Sequence, residues 1–165
     1  MNYFSLFDLE TKYDIDKSDL KKRYLKALQK FHPDRAAMGE TKEYIEKSMQ
    51  INEAYKILSD SYERAKYLLL ENGCNFEDKA LTSVLKPDEL EEILDEYDLI
   101  DAVDDIEKLK IKYEDKNLAI ESIISGLKKA FASKNFTLAL DYTVRLKYLT
   151  NLVKNIKLKI KHANS

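Results

Sequence analysis

Leu20-Lys21-Lys22-Arg23-Tyr24-Leu25-Lys26-Ala27-Leu28-Gln29-Lys30-Phe31-His32-Pro33-Asp34-Arg35 is the stretch that decides the fold. Leu20, Tyr24, Ala27, Leu28 and Phe31 fall three or four residues apart, the spacing of one buried stripe on an α-helix. Lys22, Lys26 and Lys30 recur at every fourth position on another face, flanked by Lys21 and Arg23. A helix over about residues 17–31 therefore carries a basic ridge while its apolar side is occupied elsewhere. Asp16 offers a side-chain oxygen for its N-cap, with Ser18 as the alternative. Pro33 ends it, because a proline pushes the preceding residue out of helical geometry.

Upstream, Tyr3, Phe4, Leu6, Phe7 and Leu9 predict a short helix that docks on this one. Downstream, Ala36-Ala37-Met38-Gly39 reads as a loop. Tyr44, Ser48, Ile51, Tyr55 and Leu58 then keep helical spacing over 41–59. Two antiparallel helices joined through His32-Pro33-Asp34 follow. A shorter helix spans 61–71 with Ala65, Leu68 and Leu69 apolar, and Asn72-Gly73 is its stop.

Residues 73–86 break the pattern and read as a linker. Pro87 suits the first position of a new helix, with Asp88 and Glu89 favoured at its positive end. Helices are predicted over 88–101, 104–132 and 136–162. Ile106, Leu109, Tyr113, Ile120, Ile124, Leu127 and Phe131 form one near-heptad stripe. Tyr142, Leu146, Leu149, Val153, Ile156 and Ile160 form another. Both are read as bundle core. Gly126 interrupts a helical pattern at a cost of about 1 kcal/mol relative to alanine, and a close helix approach is one reason for it. The fold class is all-α: a helical hairpin with short helices, then a three-helix bundle.

Composition agrees. The 165 residues are 44% hydrophobic and 35% charged, with 3 Gly, 2 Pro and no Trp. Few turn formers argue against a β-sandwich. The single Cys74 excludes an internal disulfide and any multi-cysteine metal site within one chain. His32 and His162, the only histidines, make an all-protein transition-metal site unexpected. No cofactor is called for. The net charge of −2 and pI near 5.8 do not favour nucleic acid. The longest apolar run, Tyr67-Leu68-Leu69-Leu70, excludes a membrane-spanning helix. Met1-Asn2-Tyr3-Phe4-Ser5 lacks a secretory or transit character, so a reducing cytoplasmic setting is expected.

Charge is distributed unevenly. Asp88 to Glu107 holds 11 acidic residues and no basic one, and 6 basic residues with no acidic one follow Asp141. A charge run often marks only a solvated face, and these two could attract each other within the chain. The acidic run, however, is interleaved with Leu90, Ile93, Leu94, Tyr97, Leu99 and Ile100, unlike a disordered acidic tail.

His32-Pro33-Asp34, set between a basic amphipathic helix and a second helix and preceded by Tyr3-Phe4-Ser5-Leu6-Phe7, resembles a J-domain, the module that stimulates ATP hydrolysis by DnaK-type chaperones. The resemblance covers residues 1–72, followed by the linker at 73–86 and a C-terminal domain at 87–165. That order, with no Gly/Phe-rich linker and no zinc-finger cysteines, is similar to the HscB family, co-chaperones of iron–sulfur cluster assembly of the bacterial, cytoplasmic type. Glu63-Arg64-Ala65-Lys66-Tyr67-Leu68-Leu69 and Thr143-Val144-Arg145-Leu146-Lys147-Tyr148-Leu149 also resemble that family.

The resemblance implies a non-enzymatic adaptor with two partners; a monomer is expected, although the sequence itself does not fix the oligomeric state. His32, Pro33, Asp34 and Arg35, with Lys21, Lys22, Arg23, Lys26 and Lys30, would bind a HscA/DnaK-type ATPase. The helix dipole would favour a proton on His32. Leu94, Tyr97, Asp98, Asp101, Asp105 and Tyr148 would bind the IscU-type scaffold on which clusters are built; in the alternative register, one turn away, Leu90 and Leu94 would be the apolar anchors. An alternative keeps the J-domain and gives the bundle an unrelated client. A His32–Asp34 dyad enzyme is a third reading, disfavoured because no serine or cysteine nucleophile is evidently placed beside it. A cluster held by Cys74 between two chains is a fourth, weak with one thiolate per chain.

Overall fold

The computed structural model of the chain describes residues 2–75 and 84–165. Residues 76–83 of the expected linker lie outside the described residues. Six α-helices and two 3-10 turns are present among the described residues, and no strand. The chain divides into two compact units, Met1–Leu68 and Leu69–Ser165.

In the first unit, α1 (Lys17–Lys30) and α2 (Thr41–Ser59) form the antiparallel hairpin. Asp16 caps α1, its Oδ1 accepting from the N–H groups of Ser18 and Asp19 at 2.8 and 3.1 Å. The hairpin is zipped by aromatics: Tyr24 stacks on Tyr55 with centroids 4.0 Å apart, and Phe31 meets Tyr44 edge-on at 5.7 Å. Such ring pairs add to simple area burial. The Ser48 hydroxyl donates to the Phe31 carbonyl at 2.7 Å, closing the last turn of α1 against α2. Leu20, Ile51, Ala54 and Leu58 are buried between them.

The short docking helix is a single 3-10 turn, Ser5–Phe7, with Phe4 and Phe7 buried. Asp8 in left-handed conformation ends it after one turn. Tyr3 stacks on Tyr67 of α3 (Ser61–Glu71) at 4.7 Å. Gly73, at φ +77°, stops α3: its N–H reaches Leu70 O and that of Cys74 reaches Leu69 O, the paired bonds of a left-handed C-terminal cap.

In the second unit, α4 (Pro87–Ala102), α5 (Ile106–Ala132) and α6 (Phe136–Ala163) form the bundle. Pro87 occupies the first turn of α4. Asp105 caps α5, and Asn135 caps α6. Ile100, Leu109, Leu152 and Ile156 make a buried cluster, with Tyr97, Val103, Tyr113 and Ile160 packed on it. The buried positions of α6 are Ala139, Thr143, Val144, Leu146, Leu152 and Ile156. They run wider than the predicted stripe, in which Leu149 and Val153 are only half-buried. A helix that packs against two neighbours needs two adjacent apolar strips, and a single heptad stripe describes only one.

Candidate functional site

Two surfaces were singled out in the sequence, one in each unit. In the first, Pro33–Arg35 form a 3-10 turn directly after α1, with His32 as its N-cap. The His32 side chain is 59% exposed and that of Asp34 is 90% exposed. The corner thus faces solvent with both polar groups presented. His32 Nδ1 accepts from the Asp34 backbone N–H at 3.3 Å. The Asp34 carboxylate lies 3.5 Å from the same nitrogen. The His32 side chain caps the turn that follows α1. Pro33 fixes the first position of that turn and has no N–H to satisfy.

Lys21, Lys22, Lys26 and Lys30 are exposed on α1, and Arg35 is exposed beyond it. Lys30 lies over the Phe31 ring at 5.3 Å from its centroid. Arg23, Lys26, Lys30 and Arg35 line one groove of about 810 Å³ together with Leu6 and Phe31. Arg23, the other cation expected on this face, is also bonded within the unit. Its Nε donates to Asp19 at 2.9 Å and its Nη1 to the carbonyls of Phe7 and Asp8 at 3.0 and 2.9 Å. It fastens the Ser5–Phe7 turn to α1.

In the second unit, Leu94 is 63% exposed on α4. Bundle core is thereby excluded as its reason for being apolar. Asp98 and Asp101 are exposed on the same side of the helix, one and two turns on. Tyr97 and Tyr148 are half-buried and adjacent, the Tyr97 hydroxyl reaching the Tyr148 carbonyl at 3.4 Å. Burial pushes the Tyr97 phenol up. Tyr97 also packs on the buried cluster, so it serves the core as well as the surface. Asp105 is exposed but lies beyond α4, accepting from the N–H groups of Glu107 and Lys108 as the cap of α5. Its carboxylate is already engaged.

The attraction between the acidic and basic runs takes the form of specific polar contacts that hold α4. Arg145 of α6 donates to Glu89 of α4 at 2.7 Å and to Asp141 at 2.9 Å. The two carboxylates raise the Arg145 pKa above its ordinary value. The Arg145 guanidinium, with the Lys86 N–H, lowers that of Glu89. Lys116 of α5 pairs with Glu96. Lys159 of α6 donates to the carbonyls of Ile100 and Asp101 at 2.9 and 2.6 Å. Leu99, 62% exposed, is a further apolar side chain on α4 that the sequence did not single out as a contact. No group of three or more metal-ligating side chains occurs among the described residues. No helix among them is long and apolar enough to cross a membrane.

Residues 2–67 match the family model of the DnaJ domain, and residues 85–157 match that of the HSCB C-terminal oligomerisation domain. A relative named co-chaperone protein HscB, from Buchnera aphidicola, is 34% identical over 146 residues, covering 87% of this chain and 80% of the relative. The solved structure of chaperone HscB from Vibrio cholerae is similar over 99% of both chains, with TM-score 0.81 and 26% identity. The crystal structure of human co-chaperone protein HscB shares the fold, with TM-score 0.88 at 23% identity over 96% of this chain and 82% of that one.

Proposed function

The chain belongs to the HscB family of J-domain co-chaperones, and from that premise we propose that it is an adaptor between a HscA/DnaK-type ATPase and an IscU-type iron–sulfur scaffold. The carrying observation is the exposed His32-Pro33-Asp34 turn at the end of a lysine-bearing helix that packs against its hairpin partner. Such a turn, stiffened by proline, loses little freedom when a partner binds it. Asp34 accepts charge-assisted hydrogen bonds from a cation on the ATPase. Lys21, Lys22, Lys26, Lys30 and Arg35 steer an acidic patch of that partner into place, and Arg23 keeps the helix seated beneath them.

The scaffold docks on α4. Leu94, beside the half-buried Tyr97 and Tyr148, gives an apolar centre, and Asp98 and Asp101 give a charged rim. Asp105 adds its charge at the end of that rim while capping α5. The chaperone thereby receives its client at the moment its ATP hydrolysis is accelerated. The role is that of a co-chaperone and not of a catalyst.

Steady-state ATP hydrolysis by the chaperone tests this, measured with this protein, with the scaffold, with both and with neither. Stimulation by the protein alone, raised further by the scaffold, is the expected outcome. No stimulation sinks the chaperone half of the reading. Stimulation without scaffold binding sinks the client half and favours another client for the bundle.

A further inference from the structure

Asp98 and Asp101 stand in the last turns of α4, where the peptide dipoles already concentrate negative charge and the free carbonyls lack intrahelical partners. Acidic side chains belong at the other end of a helix. α4 carries no basic residue in its last turn to offset them. The docking carboxylates therefore sit where they weaken the helix that displays them. A cation from elsewhere in the fold answers this: Lys159 Nζ donates to the Ile100 carbonyl at 2.9 Å and the Asp101 carbonyl at 2.6 Å. The Ile100 carbonyl already accepts the Val103 N–H at 3.2 Å, so the ammonium adds a second bond there, caps the Asp101 carbonyl and places a positive charge at the negative end of the dipole.

We propose that Lys159 is a positioning residue for scaffold binding, holding the last turn of α4 helical so that Asp98 and Asp101 keep their spacing from Leu94. The proposal rests on the docking reading of α4 given above. Lys159 is spaced 58 and 59 residues from its partners and belongs to α6. It acts on the display of the docking side chains through the backbone and not by touching the scaffold. Among the described residues the ion pairs of α4 lie further back, Arg145 on Glu89 and Lys116 on Glu96, whereas Lys159 acts at the end where the carboxylates stand, beside the Val103 N–H cap and the buried Ile100.

The test compares full-length wild type, Lys159→Met, Lys159→Arg, Lys157→Met and Leu94→Ala. Each is titrated with an IscU-type scaffold by calorimetry, and amide hydrogen exchange is followed in the free proteins. Lys157 is an exposed lysine on the same helix and controls for the change in net charge. Lys159→Met is expected to weaken scaffold binding about tenfold and to speed exchange at Asp101–Val103. Lys159→Arg, which keeps the donors and the charge, restores most of the affinity. Lys157→Met stays within about twofold of wild type. Should Lys159→Met not fold, Lys159→Gln takes its place with the same expected direction.

Several results overturn the proposal. Wild-type affinity in Lys159→Met beside a loss in Leu94→Ala removes the positioning role and leaves the docking reading standing. Equal losses in Lys157→Met and Lys159→Met reduce the effect to net charge. A loss of affinity with unchanged exchange makes Lys159 a direct contact instead. Absence of scaffold binding by wild type removes the docking reading, and the role of Lys159 with it.

Discussion

The Tyr142 ring of α6 lies where a side chain at Gly126 of α5 would have to go: a Cβ built on Gly126 would stand 2.6 Å from Tyr142 Cζ. Glycine in mid-helix is explained by a ring laid directly on the backbone. Gly126→Ala gains about 1 kcal/mol of helix propensity but forces that ring out of its seat, at a cost of roughly 1–3 kcal/mol. Net destabilisation is expected. In a Tyr142→Ala background the same substitution is expected to stabilise, by about 1 kcal/mol. Urea unfolding of the four proteins in this double-mutant cycle checks the reversal of sign.

The two surfaces are separable. His32→Gln and Asp34→Asn are expected to bring stimulated ATP hydrolysis down to the chaperone's basal rate while scaffold affinity stays near wild type. Asp34 is almost fully exposed, so neither change disturbs the core. Leu94→Ala with Tyr148→Ala is expected to do the reverse, weakening scaffold binding by about tenfold or more. Loss of both activities in each variant, with folding intact by circular dichroism, contradicts two independent surfaces.

Local signals in the sequence were legible and distant ones were not. Asp16, Pro33 and Gly73 announce helix ends because cap and turn chemistry is decided within a few residues. Their helices end within a residue or two of the expectation. The solvent-facing His32-Pro33-Asp34 turn was legible for the same reason. Arg64 was not. It is 3% exposed, donating to the carbonyls of Tyr13 and Leu58 at 2.9 and 2.6 Å. A cation in an amphipathic pattern reads as surface unless its partner, here 51 residues away, is known. Its place one turn before Leu68, on the apolar side of α3, was the available hint. Arg145, Lys116 and Lys159 escaped in the same way. The partners Glu89, Glu96, Ile100 and Asp101 lie on another helix, and the expected attraction between the acidic and basic runs names no pair.

Tyr13 sets an alkaline limit. Its ring is 1% exposed beneath the Arg64 guanidinium, and its hydroxyl donates to the Ser61 carbonyl at 3.1 Å. Burial pushes the phenol up to about 12 from its ordinary 10.0. The folded state thus holds this proton more tightly than the unfolded chain does. The resulting stability is complete below pH 10.0 and is lost as pH rises towards about 12. Tyr13→Phe, which has no such proton, is expected to flatten this part of the profile at a cost of about 1 kcal/mol for the lost hydrogen bond at neutral pH. Urea midpoints recorded from pH 8 upwards for the two proteins check it.

Arg145 sets an acidic one. Glu89 has its carboxyl held below the ordinary value of 4.5 by the Arg145 guanidinium first and by the Lys86 N–H second. A depressed carboxyl contributes stability that is present above its unfolded value and disappears as pH falls through the folded one. The contribution belongs to one end of α4, which Glu89 ties to α6. Arg145→Lys keeps a positive charge but replaces a planar fork with a point donor, and a point donor does not serve Glu89 and Asp141 together at these distances. Arg145→Lys is therefore expected to lie between wild type and Arg145→Met in stability at pH 7. Both variants are expected to lose less than wild type on going to pH 3, because less of the carboxyl's depression remains to be lost. Thermal unfolding of the three proteins at the two pH values decides this, and parallel losses in all three would show that Glu89 is held by the Lys86 N–H alone.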